Sequence, residues 1–352
     1  MKIRLIGVAE KDRTAIEHVV RLFFEEPELL PAADDAGDSG HAADSAFAQP
    51  AHDMTIELVQ AADNAACAVL TAGASEGPWI GEAKRAMPAG LTPEERRRFR
   101  KQTLLQALVR ALEARTGIEQ PWGILTGVRP TKLWHARRRN DEDPAKIRAA
   151  IREETLVAEP KLDLMERIVE RQLQAVPDLY RLNREVSLYI GIPFCPTKCA
   201  YCTFPAYAIG GRQGSVDAFL AGLHYELNAV GRWLKDHDVR VTSVYFGGGT
   251  PTSITADEMD RLYEAMYAAL PHPDEIREIT VEAGRPDTIT REKLQVLRKW
   301  DIDRISINPQ TYTQETLKAI GRHHTVEETI EKVWLAREMG MRNINMDLII
   351  GL

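Results

Sequence analysis

Three cysteines, Cys195, Cys199 and Cys202, fall within eight residues of the string SLYIGIPFCPTKCAYCTF, in the spacing C-x3-C-x2-C. Soft thiolates gathered by one loop suit an iron-sulfur cluster or zinc, and both usually take four protein ligands. The remaining cysteine, Cys67, lies in the apolar run AACAVL, which reads as a strand with a buried structural thiol. A zinc site would need a histidine to complete it, and none occurs in the twenty residues after Cys202. Three thiolates on a 4Fe-4S cluster would leave one iron open to a substrate or cofactor.

An open iron beside a reducible cluster is what cleavage of S-adenosylmethionine (SAM) requires. The methionine amino and carboxylate groups chelate the iron, and one electron passes to the sulfonium. The cysteine spacing, with Tyr201 before the last cysteine, resembles the radical SAM signature. The string VYFGGGTP, ending at Pro251, resembles that superfamily's glycine motif, which contacts the methionine amino group; its glycines let backbone approach a ligand closely. Glu282 suits acceptance of hydrogen bonds from ribose hydroxyls, since a buried carboxylate without a partner is costly. The competing reading of Glu282 is an ion pair with Arg285 or Arg304.

These residues need a frame, and beyond Val186 the pattern is strand, loop, helix, repeated. Strands are expected at Ser187 to Phe194, Thr242 to Phe246, Glu278 to Ala283, Arg304 to Asn308 and Asn343 to Ile350, with helices such as Val216 to Lys235 and Ala256 to Ala269 between them. The alternation predicts a parallel sheet with right-handed crossovers. Three strands alternate in polarity: Ile279, Val281, Ile305, Ile307, Ile344 and Met346 oppose Thr280, Glu282, Ser306, Asn308, Gln310, Asn345 and Asp347. Period two puts each set on one side, so the apolar set should meet the helices and the polar set should line the lumen of a partial barrel. An antiparallel sheet with one wet face is the alternative. Active-site groups of such barrels gather at the C-terminal strand ends.

The second domain as a whole resembles the oxygen-independent coproporphyrinogen III oxidase family. The matching strings are SLYIGIPFC, GGGTPT, VEAGRPDT, INPQTY, AIGRHH and NMDLIIGL, in the family's order. PWGILTGVRPTKL and the N-terminal domain extend the likeness to a branch of oxidase-like proteins with such an extension. Family members run on into a region that covers the substrate, so the chain reads as C-terminally truncated. The resemblance implies a 4Fe-4S cluster on Cys195, Cys199 and Cys202. It also implies SAM contacts from Tyr189, Tyr201, Gly248, Gly249, Thr250, Glu282, Gln310, Arg322 and Asp347, with Tyr189 placed in catalysis. The implied reaction is radical abstraction of hydrogen from propionate β-carbons, with loss of CO2, converting coproporphyrinogen III to protoporphyrinogen IX. An electron donor such as flavodoxin or ferredoxin is implied with it. One departure stands out: Thr203 and Phe204 follow Cys202, where those oxidases carry a further cysteine two residues on. A related branch without that cysteine is similar to haem chaperones, so haem binding and transfer is the alternative.

Composition agrees with a globular protein of two domains, at 352 residues, 44% hydrophobic and 28% charged. A formal charge of -7 offers no global positive field, so nucleic acid is not an expected partner. No apolar run approaches the ~20 residues of a membrane span and no signal peptide opens the chain, so a cytoplasmic protein without stable membrane insertion is expected. Residues 1–120 read as a small α+β domain, with a helix at Ala15 to Glu26, strands at Met54 to Gln60 and Cys67 to Leu70, and a helix at Pro93 to Arg115. A flexible loop is expected near 31–53, where Ala, Asp, Gly and Ser dominate. Residues 121–183 read as a helical connector and 184–352 as the barrel. Arg129 and Lys132 read as closing a turn, Arg137 to Arg139 as a solvated helix face, and His323 and His324 as surface or capping residues.

Overall fold

The computed structural model describes every residue except 31–52, 62–63, 73–75, 128 and 210–214. The expected flexible loop therefore lies outside the described residues, Asp53 apart. The chain divides into two compact units, Met1–Arg181 and Leu182–Leu352.

The first unit opens with β1 (Lys2–Ile6), α1 (Glu10–Val20), β2 (Glu28–Leu30), β3 (Met54–Gln60), β4 (Ala65–Ala72) and β5 (Glu76–Lys84), in the sheet order β2-β1-β3-β4-β5. Strand β1 runs parallel to β2 and β3, and the β3-β4-β5 run is antiparallel. Helix α2 (Pro93–Thr116) begins at a capping box: the Thr92 amide donates to Glu95 at 2.9 Å and Thr92 Oγ1 accepts from the Glu95 amide. It ends where Gly117 takes φ +70°. Its Leu104, Leu108 and Leu112 are buried in one core with Ile3, Ile56 and Leu70. Helices α3 (Thr131–Arg138), α4 (Pro144–Thr155) and α5 (Glu159–Ala175) enclose a second core around Trp134, Ile151 and Met165.

Several expectations for this unit change. Cys67 is not core: it sits on the partly exposed face of β4, opposite Glu82, where burial and the charges of Glu82 and Glu57 raise its thiol pKa. The neighbours Ala66 and Ala68 take the buried side, as alternation demands. Arg137 is not simply solvated, since it pairs with Glu142 at 3.3 Å and with Glu154. Arg129 does close a turn, with φ +60°. Strand β5 forms although it carries Gly77, Pro78 and Gly81, residue types that are depleted in strands. Gly81 is there for close packing, as a Cβ would meet Ala107 O of α2 at 2.1 Å.

The second unit consists of β6 (Glu185–Ile192), β7 (Phe194–Cys195), β8 (Tyr207–Ala208), α6 (Val216–Asp236), β9 (Arg240–Gly248), α7 (Ala256–Ala269), β10 (Glu278–Glu282), α8 (Arg291–Lys299), β11 (Arg304–Ser306), α9 (Gln314–Ala319), α10 (Val326–Glu338) and β12 (Asn343–Asn345). Strands β6, β9, β10, β11 and β12 lie side by side in chain order, and every pairing is parallel. The antiparallel alternative is thereby excluded, and the unit is an α/β fold consistent with a partial (β/α) barrel. Ile279, Val281, Ile305 and Ile307 are buried in a core shared with Met259, Leu262, Met266, Leu294 and Leu297 of the helices. Capping boxes at Thr255 and Thr325 start α7 and α10. Met346 departs from expectation, since it is 43% exposed and β12 is three residues long rather than eight.

Candidate active site

The cysteine loop leaves the end of β7 and is pinned at both sides. The Cys195 thiol lies 3.3 Å from Thr250 Oγ1, just past β9. Thr197 Oγ1 donates to Gly321 O at 2.9 Å and the Ala200 amide to Ile320 O at 3.0 Å. The Cys202 amide donates back to Cys199 O at 3.1 Å, closing a turn within the loop. Burial, the largest influence, raises the Cys195 pKa; the Thr250 hydrogen bond and Arg285 oppose it, and Cys199 and Cys202 add to it. All three thiols therefore share one electrostatic neighbourhood. Among the described residues no three His, Cys, Asp or Glu side chains are close enough to hold a single metal ion.

Strands β9, β10 and β11 deliver the polar wall. Gly247 and Gly248 end β9, and a Cβ on Gly247 would lie 2.8 Å from Tyr189 Oη, 3.0 Å from Tyr245 and 3.1 Å from Glu282 Oε2. Only glycine leaves that floor open. Gly248 has φ +103°, and the Gly249 and Thr250 amides donate to Ile192 O and Phe194 O, seating the turn against β6 and β7. Glu282 pairs with neither Arg285 nor Arg304: Tyr245 Oη donates to it at 2.6 Å, and Arg304 takes Glu278 instead. Burial raises the Glu282 pKa against the pull of Tyr245 and the Gly248 amide, with nearby Asp347 raising it further. Tyr189 stacks on Tyr245 at 5.9 Å and is 58% exposed, so it stands at the rim. Burial and Glu282 raise its pKa.

The remaining expected residues close the other side. Asn308 Nδ2 donates to Asp347 at 2.7 Å, and the Gln310 amide donates to Asp347 O at 3.0 Å. Arg322 is buried rather than solvated, and its Nη1 donates to Gly284 O at 3.1 Å and Asn308 O at 2.9 Å. Tyr201 lies beside Arg322 and Cys199; burial raises its pKa and Arg322 opposes the rise. His324 is fully buried, contrary to the surface expectation, while His323 is exposed. Ser306 Oγ, Gln310 Oε1, Arg322 Nε and both ring nitrogens of His324 are buried without a hydrogen-bond partner among the described residues. Buried polar atoms left unpaired are costly, and Gln310 and Arg322 supply an acceptor and a donor for a polar ligand. The sequence pattern does not single out Tyr245, places Asn308 on the lumen side without a role, and offers Arg285 only as an ion-pair partner of Glu282. Tyr245 carried a readable signal, lying two residues before Gly247 and hence on its side of the strand.

The Radical SAM superfamily description matches residues 189–352. The oxygen-independent coproporphyrinogen-III oxidase-like protein HemZ of Bacillus subtilis is 52% identical over 355 residues, spanning all of this chain and 67% of that protein. The chain belongs to the radical SAM superfamily, among the oxygen-independent coproporphyrinogen III oxidase-like proteins. Radical SAM proteins work with a 4Fe-4S cluster and SAM, and the thiols and unpaired polar atoms above suit both. The heme chaperone HemW of Bacillus subtilis is 34% identical over 166 residues, 47% of this chain and 42% of that one. Coproporphyrinogen III oxidase (HemN) of Escherichia coli, described as a radical SAM enzyme, is 29% identical with a TM-score of 0.44, over 52% of this chain and 41% of that one. The chain thus spans less than half the length of these two proteins. Among the described residues no helix is long and apolar enough to cross a membrane.

Proposed function

We propose that Cys195, Cys199 and Cys202 hold a 4Fe-4S cluster, that SAM lies along the polar wall, and that the protein oxidatively decarboxylates propionates of coproporphyrinogen III without oxygen. The observation that carries the reading is the convergence of the cysteine loop, the open glycine turn and the Tyr245-Glu282 pair at the C-terminal ends of adjacent parallel strands. When bound, cluster and SAM would supply radical chemistry able to remove a hydrogen from a propionate β-carbon, with CO2 and one electron lost as the vinyl group forms.

The chain's own residues bind and orient. Glu282, its carboxylate already aimed by Tyr245, accepts hydrogen bonds from the ribose hydroxyls. Arg322 Nε faces the methionine carboxylate, while Nη1 stays on the backbone and fixes the guanidinium. Backbone at Gly248, Gly249 and Thr250, with Gln310 and Asp347, forms the polar bed. Tyr189 and Tyr201 flank it, and Tyr189 at the rim is the residue nearest incoming substrate. The electron comes from a small donor such as flavodoxin or ferredoxin.

A second reading, haem binding and transfer, is favoured by Thr203 and Phe204 after Cys202, in place of the extra cysteine of the oxidases. Anaerobic incubation of reconstituted protein with coproporphyrinogen III, SAM and reductant separates the two. Products lighter by one and two formic acid equivalents, by mass, support the oxidase. Stoichiometric haem binding with no decarboxylated product overturns it in favour of the chaperone.

A further inference from the structure

Among the described residues Arg285 is the most deeply buried guanidinium of the second unit, 2% exposed, and it sits just past β10. A buried guanidinium is expensive unless each donor is used. Here Nη2 donates to Thr197 Oγ1 at 2.9 Å and to Asp287 at 3.4 Å, Nε to Asp287 at 3.3 Å, and Nη1 to Thr197 O and to Cys199 Sγ, both at 3.3 Å. One side chain thus grips the cysteine loop at its backbone, a hydroxyl and a thiol. Among the described residues one carboxylate, Asp287, compensates it, and that side chain is 21% exposed.

Resting on the assignment of the cluster to Cys195, Cys199 and Cys202, we propose that Arg285 is a positioning residue that orients Cys199 and raises the reduction potential of the cluster. Hydrogen bonds to the ligating sulfurs and nearby charge are main determinants of such potentials. Each electron added makes the cluster and its thiolates one unit more negative. A fixed cation donating to Cys199 Sγ therefore stabilises the reduced form more than the oxidised one. Asp287 works against it, by drawing two of the guanidinium's donors and offsetting its charge. The pair sets how readily a donor loads the cluster, and does so without touching SAM.

The signs make the test sharp. In anaerobically reconstituted protein, Arg285→Gln lowers the reduced-to-oxidised ratio at a fixed solution potential at least tenfold, which is a fall of about 59 mV in midpoint for a one-electron couple. Arg285→Lys, which keeps the charge and loses the fork, falls less. Asp287→Asn shifts the ratio the opposite way. Mere disturbance of the loop would move Arg285→Gln and Asp287→Asn in the same direction, so shifts of the same sign, or no shift in any of the three, overturn the proposal. If Arg285→Gln binds no cluster, Arg285→Lys and Asp287→Asn still decide it. Iron that persists in Cys195→Ala, Cys199→Ala and Cys202→Ala would overturn the underlying cluster assignment instead.

Discussion

At the scale of single residues, the proposed site rests on two separable chemistries, sulfur for iron and carboxylate for SAM. Reconstituted protein should hold about four irons and four sulfides per chain, and each of Cys195→Ala, Cys199→Ala and Cys202→Ala should abolish them. Cys67→Ala should not, since Cys67 stands on β4 opposite Glu82; iron and sulfide analysis of the four variants checks this, and equal dependence on Cys67 would refute it. Glu282 is the complementary probe. Glu282→Gln keeps an acceptor for Tyr245 and for ribose but removes the charge, weakening each hydrogen bond from charge-assisted to neutral by ~1 kcal/mol. SAM affinity, read by equilibrium titration, should fall roughly five- to tenfold with iron content unchanged. Unchanged affinity would leave Glu282 a structural partner of Tyr245. The cysteines and Glu282 were legible because their types are few and their spacing or alternation is constrained. Arg285 was not legible, because an arginine near a carboxylate in sequence reads as its ion pair, and nothing local says that this one folds over onto Cys199.

At the scale of elements, period-two alternation in β10 and β11 was enough to assign the apolar side, because helices must cover one face of a parallel sheet. Strand ends were less readable: β11 stops at Ser306, and beyond Pro309 the left-handed Gln310, φ +63°, pairs with Leu348 only as an isolated parallel bridge. The glycine turn after β9 shows what alternation cannot. A Cβ on Gly249 would lie 2.7 Å from Phe194 O and 2.9 Å from Ile192 O, both backbone atoms that carry the turn's own hydrogen bonds. Gly249→Ala should therefore push the turn off β6 and β7, costing about 1–3 kcal/mol and weakening SAM binding as well. Gly222 on α6 is the contrast, with nothing within 4 Å of an added Cβ. Gly222→Ala should stabilise by up to ~1 kcal/mol through helix propensity alone. Thermal melts of both variants test the pair, and a Gly249→Ala protein as stable as Gly222→Ala would mean the turn has room that the geometry denies.

At the scale of the whole molecule, the buried polar atoms of the second unit couple its stability to pH, and His324 is the group on which the coupling turns. It is fully buried with neither ring nitrogen partnered among the described residues. Burial, then Arg322, depresses its pKa, Arg285 acts in the same sense, and Asp287 and Glu328 oppose them without prevailing. The sequence hid this, because a histidine between Arg322 and a helix cap at Thr325 looks exposed until the loop is seen to fold inward. The sign follows from linkage: below the ordinary histidine pKa of ~6.5 the unfolded chain takes up a proton that the folded chain refuses, so stability falls as pH falls. The slope from this one group is bounded at ~1.36 kcal/mol per pH unit, between ~6.5 and the depressed folded value. His324→Leu removes the titration at similar volume and strands no former partner of the ring. In metal-free protein, where cluster loss does not enter the melt, the wild type should lose stability relative to His324→Leu as pH drops from 7 to 5, while the two should differ by a constant amount above pH 7. Parallel curves across the whole range would show that His324 is protonated in the folded protein, or is reached by a partner that satisfies its ring, and that the pH dependence of the fold arises from other groups.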